Sequence, residues 1–398
     1  RILCNRKASE RGDDKPRIYK RHSFRTIVQQ RTFLADRFVR LGRVIGLFAL
    51  LLVGLLTHEQ ARAQATQPNI VLIFVDDLGY GDLSSYAATS VATPRIDSLA
   101  TDGIRFTDFY AHEVCGPSRA MLLTGSYAPR ISLASNEIAS SRTGLHPGEV
   151  TVAEMLSDAG YATGLFGKWH LGDHYQFLPL QHGFDEFWGI PYPNSMWPFH
   201  PRTFAEAGED PRLTAARDRA ILVGYAGVSN PFPRGQGYPN MPTYDGDTIV
   251  EFNSDQSTFG TLFIDKTLAF IEANQNQPFF AYVPLSAPHV PLHPGPAFLG
   301  ASGEDLYGDT ILEIDAGVGR ILDKLTELGL ENDTLVIFIS DNGPNLDYGI
   351  DGGDPGPFSG GKETQGEGGI RIPALMRWPG QLTAGTVITE MASIIDVM

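Results

Sequence analysis

Cysteine is nearly absent from this chain of 398 residues, which contains only Cys4 and Cys115. Cys4 lies in an N-terminal segment with the features of a removable leader, so an intramolecular disulfide is excluded once that leader is cleaved. A lone cysteine is by default a small, buried apolar side chain. Any other role for Cys115 has to be indicated by the residues around it.

Basic charge is scarce outside the first 65 residues. Residues 1–65 hold 14 Lys+Arg and 5 Asp+Glu, so residues 66–398 carry a net charge of −24 within a total of −15. Nucleic-acid binding needs a basic face that neutralises phosphates, and this acidic body argues against it. An anionic substrate would need a local cluster of cationic side chains to overcome the overall field.

Long hydrophobic runs are also missing. A basic stretch ends at Arg40 and Arg43, an apolar run covers 44–56, and A-x-A patterns occupy 61–63 and 63–65. This layout is typical of a bacterial export signal cleaved near residues 63–65, and the apolar run is short against the roughly 20 residues of a spanning helix. We expect a leader over 1–65 and an exported protein, periplasmic or secreted. An uncleaved leader acting as a membrane anchor is the alternative.

Apolar runs rich in β-branched residues predict buried strands over 69–75, 162–166, 279–285 and 335–339. Helical spacing and capping residues predict helices over 94–102, 151–160, about 258–273 and 306–328. Strands that alternate with helices predict an α/β fold with a mostly parallel sheet covered on both faces, formed by residues 66–398. Residues 200–245, rich in Pro, Gly and Arg, are predicted to be a long irregular segment.

Each of the four predicted strands is followed by polar side chains, and open α/β sheets bind ligands at that edge. Asp76 and Asp77 follow the first strand, and Asp341 and Asn342 follow the last. Three carboxylates and an amide offer only oxygen ligands, which suit Ca²⁺ or Mg²⁺ better than zinc. The sequence therefore predicts a site for a hard cation.

The stretch from Cys115 to Gly125 reads CGPSRAMLLTG. Pro117 suits the first turn of a helix, so Cys115 is expected at or just before a helix N-terminus, where the dipole favours negative charge. The run resembles the sulfatase signature, C-x-P-S-R followed by Thr-Gly. The resemblance continues in 160–170 and 287–289, in Gly361-Lys362 and in 367–373, and is greatest to the arylsulfatase A and N-acetylgalactosamine-6-sulfatase group.

This resemblance implies an alkaline-phosphatase-like α/β/α sandwich and hydrolysis of sulfate esters by a formylglycine that a formylglycine-generating enzyme makes from Cys115. It implies that Asp76, Asp77, Asp341 and Asn342 bind one Ca²⁺. Arg119 and Lys168 match residues that hold the formylglycine hydrate, and His170 matches the base that deprotonates its second hydroxyl. His289 and Lys362 match residues that bind the sulfate and help the alcohol leave.

The pattern is incomplete in two places. Relatives often carry Ser-Asn-Asp after a Gly-x-Pro-Tyr turn, whereas Pro193-Asn194-Ser195 stands here. Sulfatases usually continue into a smaller C-terminal subdomain, so the resemblance predicts that this sequence, which ends at Met398, is truncated. A phosphodiesterase or phosphonate monoester hydrolase of the same superfamily, or a degenerate non-catalytic binder of sulfated glycans, are the alternative functions. A carbohydrate or aryl sulfate is the expected substrate class.

Overall fold

The predicted strands and helices form where apolar residues recur at the spacing of a buried strand or an amphipathic helix. The protein is described by a computed structural model over residues 67–86, 90–196 and 240–398. The predicted leader, its cleavage site and residues 200–239 lie outside these ranges. The strands, in chain order, are β1 Asn69–Val75, β2 Ile104–Phe106, β3 Phe109–Tyr110, β4 Ala162–Lys168, β5 Glu186–Ile190, β6 Pro242–Asp245, β7 Thr248–Phe252, β8 Phe279–Pro284, β9 Thr334–Ser340, β10 Ala374–Arg377, β11 Thr386–Ile388 and β12 Ala392–Ser393. The α-helices are α1 Pro94–Thr101, α2 Cys115–Thr124, α3 Val152–Asp158, α4 Phe259–Ala273, α5 Leu306–Glu327 and α6 Glu367–Ile370.

One sheet of ten strands, in the order β11-β2-β10-β9-β1-β8-β4-β5-β6-β7, organises the described part of the chain. Its five central strands, β9 to β5 in that order, are parallel, and β10 and β6 flank them in antiparallel orientation. The predicted mostly parallel sheet is confirmed. Parallel strands point their carboxyl ends to one edge, so β9, β1, β8 and β4 deliver their following residues side by side.

Strand β1 shows why helices cover both faces of the sheet. Its Val71, Ile73 and Val75 pack into one core with residues of α1, α4 and α5. Its Leu72 and Phe74 point the other way, into a second core with residues of α2 and α3. Successive side chains of a strand alternate between faces, so a wholly apolar strand requires two cores. The α/β/α layering is confirmed.

The predicted helices and long strands agree with the structure to within two or three residues at each end. The Thr151 capping box also forms, because the Thr151 hydroxyl accepts from Glu154 N at 3.1 Å and the Glu154 carboxylate accepts from Thr151 N at 2.7 Å. The prediction of irregular structure through 245 was wrong at its end, where Pro242–Asp245 forms β6. Its partner β7 is exposed along its whole length and lacks the apolar alternation that would have revealed a hairpin. No helix in the described residues is long and apolar enough to cross a membrane.

Glu313 is a buried acid of α5 whose ionisation should make folding depend on pH. The side chain is 9% exposed, its Oε2 accepts from Gly295 N at 2.9 Å, and its Oε1 has no hydrogen-bond partner among the described residues. Burial raises the pKa of Glu313 to about 7. A carboxyl whose folded pKa is raised favours folding when protonated, so this contribution is lost as pH rises from about 4.5 towards 7.

We expect Glu313→Gln to be more stable than the wild type at pH 8 and close to it at pH 5. The change in the wild type's free energy of unfolding from this group is about 2 to 3 kcal/mol over that interval. Denaturant unfolding at both pH values measures it, with the exposed Glu304→Gln as the matched control. An unchanged pH dependence in Glu313→Gln would contradict the assignment.

Candidate active site

The ends of four adjacent strands supply most of the candidate site. Asp76 and Asp77 follow β1, Asp341 and Asn342 follow β9, His289 lies beyond β8, and Lys168 closes β4 two residues before His170. The strand order β9-β1-β8-β4 makes these ends neighbours. Helix α2 adds Cys115 and Arg119, and the loop before α6 adds Lys362. The structure therefore brings all ten predicted site residues to one edge of the sheet.

Three buried cations balance three buried carboxylates in this site. Arg119 Nη2 donates to Asp341 Oδ2 at 2.7 Å and lies 3.7 Å from Asp76 Oδ2. Lys168 Nζ donates to Asp76, and Lys362 Nζ donates to both Asp77 oxygens at 2.6 and 2.8 Å. Buried charges require such pairing, because an isolated ion in the interior costs several kcal/mol.

Burial and these contacts shift the pKa values of two of the carboxyl groups, Asp76 and Asp341, in opposite directions. Burial alone would raise the pKa of Asp76, but Lys168, with His289 and Arg119, holds it far below its ordinary value. Burial, and after it the Asp76 carboxylate, raises the pKa of Asp341 to about 7. Of these two carboxyls, Asp341 is thus the one whose charge needs additional compensation. A bound cation beside it would supply that compensation.

Unpartnered oxygen atoms indicate where a hard cation would fit. Asp76 Oδ1 and Asn342 Oδ1 are buried and accept no hydrogen bond within the described residues. One oxygen each of Asp76 and Asp77 lies within 4.8 Å of a His289 ring nitrogen. One oxygen each of Asp76 and Asp341 lies within 4.8 Å of the Cys115 sulfur. Asn342 Nδ2 donates to Asp77 Oδ1 at 2.8 Å, so the amide nitrogen is used in this contact and the side-chain carbonyl oxygen stays available as a metal ligand. The candidate ligands among these groups, Asp76, Asp77, Asp341 and Asn342, offer only oxygen atoms, which suit Ca²⁺ or Mg²⁺.

Cys115 is the first residue of α2, as the position of Pro117 predicted. Its sulfur lies 3.7 Å from Lys168 Nζ and 3.6 Å from Asn136 Oδ1. Burial raises the pKa of the Cys115 thiol despite the opposing effect of Lys168. A buried thiol that stays protonated is a poor nucleophile, so Cys115 is unsuited to thiolate chemistry in its unmodified form.

Both site histidines have a defined tautomer, because each contacts a backbone carbonyl that can only accept. His170 Nε2 lies 3.1 Å from Glu137 O and so carries its proton there, while the buried Nδ1 has no partner within the described residues. His289 Nδ1 lies 2.6 Å from Val290 O, which leaves Nε2 facing Asp77 Oδ2 at 3.6 Å. Burial, then Lys168, lowers the pKa of His170 well below its usual range, and burial lowers that of His289 to about 4. His170 Nδ1 is therefore an unprotonated base.

The backbone takes less favourable conformations at the site. Asp77 and His170 are non-glycine residues with φ of 64° and 65°, in the left-handed region. Gly343 follows Asn342 at a close approach of two chain segments, where an added Cβ would lie 1.8 Å from Gly368 O. The left-handed conformations thus belong to a candidate metal ligand, Asp77, and to the candidate base, His170.

Two residues in the site escaped the sequence reasoning. Asn136 contacts Cys115 from an irregular segment with no periodic or motif signal. Ser340 directly follows the predicted strand over 335–339 and had no predicted role. Its hydroxyl accepts from Leu78 N at 3.1 Å and donates to Asn342 O at 2.9 Å, which connects the segments that follow β1 and β9. Asn194, from the segment that departs from the family pattern, donates to Gln256 Oε1 at 3.0 Å.

Comparison with known proteins identifies the family. The Sulfatase family model matches residues 68–398. Arylsulfatase A of Bos taurus is 41% identical over 346 residues, covering 84% of this chain and 64% of the relative. N-acetylgalactosamine-6-sulfatase of Sus scrofa is 36% identical over 343 residues, covering 83% and 60%. The chain thus spans less than two thirds of the length of these relatives.

Solved structures give the same result. The PsFucS1 sulfatase from Pseudoalteromonas sp. superposes with a TM-score of 0.71 at 31% identity, covering 87% of this chain and 68% of that one. A phosphonate monoester hydrolase of Agrobacterium radiobacter superposes with a TM-score of 0.52 at 21% identity, covering 83% and 72%, a likeness of fold alone. On the family match and these identities, the chain belongs to the sulfatase family.

Proposed function

We propose that the protein hydrolyses sulfate esters to an alcohol and inorganic sulfate, with a nucleophile made from Cys115 by oxidation to formylglycine. The observation that carries the proposal is the setting of Cys115. A buried thiol of raised pKa begins a helix, between Lys168 and a cluster of oxygen ligands. This setting is unsuited to a thiolate and well suited to an oxygen nucleophile whose developing charge is stabilised by cations.

We propose that Asp76, Asp77, Asp341 and Asn342 bind one Ca²⁺. The three carboxylates are balanced by Arg119, Lys168 and Lys362, so the site without a metal ion is close to neutral. A bound divalent cation supplies Lewis-acid stabilisation of charge on the sulfuryl oxygens. It also gives the site a positive charge that attracts an anion into an acidic protein.

The chain's own residues can then divide the chemistry into two displacements. One hydroxyl of the hydrated aldehyde loses its proton to solvent, because the Lys168 charge stabilises the resulting oxygen anion, and this oxygen attacks sulfur. The new S–O bond forms as the S–O bond to the alcohol breaks, and a proton from Lys362 goes to the leaving oxygen. His170 Nδ1 then takes the proton of the second hydroxyl. The C–O bond to sulfate breaks, the aldehyde re-forms, and a water molecule adds to it. A serine at this position would stop after the first displacement as a stable sulfate ester.

The names of similar proteins support a substrate class. PsFucS1 is a sulfatase, and another similar structure, at 28% identity and a TM-score of 0.68, is Ps i-CgsB in complex with k-i-k-neocarrahexaose. We propose a carbohydrate or aryl sulfate as the substrate, a formylglycine-generating enzyme as the maturation partner, and export through the 1–65 leader. The acidic body gives no reason to expect nucleic acid as a partner.

The proposal is tested by parallel turnover of 4-nitrophenyl sulfate, 4-nitrophenyl phosphate and a phenylphosphonate monoester. The protein is co-expressed with a formylglycine-generating enzyme. We expect kcat/KM for the sulfate to exceed the others, and a panel of sulfated sugars then refines the substrate. A phosphate or phosphonate ester turned over faster by orders of magnitude would support the alternative hydrolases. No turnover of any ester would support the non-catalytic binder.

Metal binding is expected to be visible as stability. Ca²⁺ at about 100 times its Kd should add about 2.7 kcal/mol to the free energy of unfolding, because it binds only the folded site. Thermal unfolding with EDTA, Ca²⁺ or Mg²⁺ measures the shift in Tm. Asp77→Asn should abolish the shift, whereas the exposed Asp347→Asn should retain it. Equal Tm values with Ca²⁺, with Mg²⁺ and with EDTA would contradict the metal assignment.

A further inference from the structure

Helix α2 begins without a cap from its own sequence. Its N-cap residue, Val114, has no polar side chain, and Pro117 has no N–H to satisfy. The Gly116 N–H is instead satisfied by Asn136 Oδ1 at 2.8 Å, from a residue twenty positions further along the chain. Asn136 therefore performs the capping function that a Ser, Thr, Asp or Asn usually performs at the helix start.

This hydrogen bond fixes which atom of the Asn136 amide faces the nucleophile. The Gly116 N–H can only donate, so the side-chain atom that meets it is the carbonyl oxygen and not the nitrogen. The same oxygen lies 3.6 Å from Cys115 Sγ. On its other flank the sulfur meets Lys168 Nζ, a pure donor, at 3.7 Å. The reacting atom of residue 115 thus lies between one acceptor and one donor.

These two neighbours treat the hydroxyls of a formylglycine hydrate differently. A hydroxyl beside Lys168 accepts a hydrogen bond from Nζ, and the positive charge of Nζ stabilises the anion that deprotonation leaves. Both effects favour loss of the hydroxyl proton. A hydroxyl beside Asn136 Oδ1 can only donate, which keeps its proton in place and fixes its direction. The two neighbours therefore distinguish the hydroxyl that attacks sulfur from the second hydroxyl, the waiting hydroxyl, which keeps its proton until the second displacement.

The residue after Asn136 holds the base that the waiting hydroxyl needs. The Glu137 carbonyl accepts from His170 Nε2 at 3.1 Å and leaves Nδ1 unprotonated. The side chain of Glu137 holds this residue in place, because its carboxylate accepts from Ser141 Oγ at 2.6 Å and from Thr143 Oγ1 at 2.5 Å. Two consecutive residues therefore contact both partners of one proton transfer.

We propose that Asn136 is a positioning residue for the second displacement: it holds the hydroxyl whose proton passes to His170, while the Glu137 carbonyl holds His170 in the tautomer that accepts it. This inference rests on the proposed function. It predicts a defect in sulfate release, and not in substrate binding or in attack on sulfur.

The test uses the full chain with its aldehyde and compares Asn136→Ala with Asn136→Asp, which keeps an acceptor oxygen. Asp305→Ala is the matched control, because Asp305 Oδ1 caps α5 through Gly308 N at 2.8 Å outside this site. Rates are divided by the aldehyde content measured on the Cys115 peptide, and Tm is recorded for each variant. Steady-state turnover of 4-nitrophenyl sulfate is followed by acid quenching and mass spectrometry.

For Asn136→Ala we expect kcat to fall about 10- to 100-fold, with KM not increased and a burst of one alcohol per site. The quenched Cys115 peptide should carry the sulfated hydrate. Asn136→Asp should restore most of kcat, and Asp305→Ala should change only Tm. A fall in kcat without accumulated sulfated peptide would overturn the inference, as would wild-type behaviour of Asn136→Ala. If the wild type itself does not cleave the sulfate ester, the proposed function fails together with this inference.

Discussion

Cys115→Ala is expected to lower kcat/KM for a sulfate ester by a factor on the order of 10⁴ or more, since it removes the nucleophile. The fold should survive, because the sulfur contacts of Cys115 within the described part of the chain, at 3.6 and 3.7 Å, are weak and its side chain is small. Mass spectrometry of the wild-type peptide should show an aldehyde at this position. An unmodified thiol in a protein that retains full activity would contradict the assignment.

Two further variants sharpen that test. Cys115→Ser should attack sulfur once and remain as a sulfated serine, since serine has no second hydroxyl on the same carbon. Its expected signature is one alcohol released per chain and a stable sulfated peptide. Cys4→Ser is the matched control, and it should leave turnover unchanged because Cys4 falls in the predicted leader. Repeated turnover by Cys115→Ser would show that residue 115 is not the nucleophile.

Asp341→Ala is expected to destabilise the protein by about 3 to 5 kcal/mol and to abolish measurable turnover. Its carboxylate is fully buried and receives Arg119 Nη2 at 2.7 Å, so its removal leaves the Arg119 charge without its shortest contact. The same substitution removes an oxygen of the proposed metal site. Denaturant unfolding and turnover of the purified variant measure the two effects.

The matched control for Asp341 is an ion pair at the surface. Asp108 pairs with Arg371 Nη2 at 2.6 Å, but both side chains are partly exposed, at 28% and 17%. Asp108→Ala should therefore cost no more than about 1 kcal/mol and leave turnover intact. Asp341→Asn separates the effects further, because it keeps a hydrogen-bonding oxygen for Arg119 but removes the charge. Wild-type stability of Asp341→Ala would contradict the assigned ion pair.

The parts of the fold predicted correctly are those where one local pattern leaves little choice. A wholly apolar run such as 69–75 has to be covered on both faces, and a capping box at Thr151 fixes the start of a helix. Strands β6 and β7 lacked this kind of signal, because β6 has only four residues and begins with Pro242, and β7 is exposed along its whole length and needs no apolar alternation. The leader over 1–65 remains a prediction.

By itself, the sequence determined the chemical inventory of the site. Residue types at strand ends indicated oxygen ligands and cations, and the resemblance of the CGPSR run to the sulfatase signature implied a modified nucleophile at Cys115. Only the tertiary structure decided how these groups are paired and oriented. Asn136 could be recognised only there, because its role depends on a hydrogen bond between irregular chain and a helix start, and no spacing in the sequence encodes such a contact. The tautomer of His170 and the raised pKa of Asp341 likewise depend on burial and on neighbours distant in the chain.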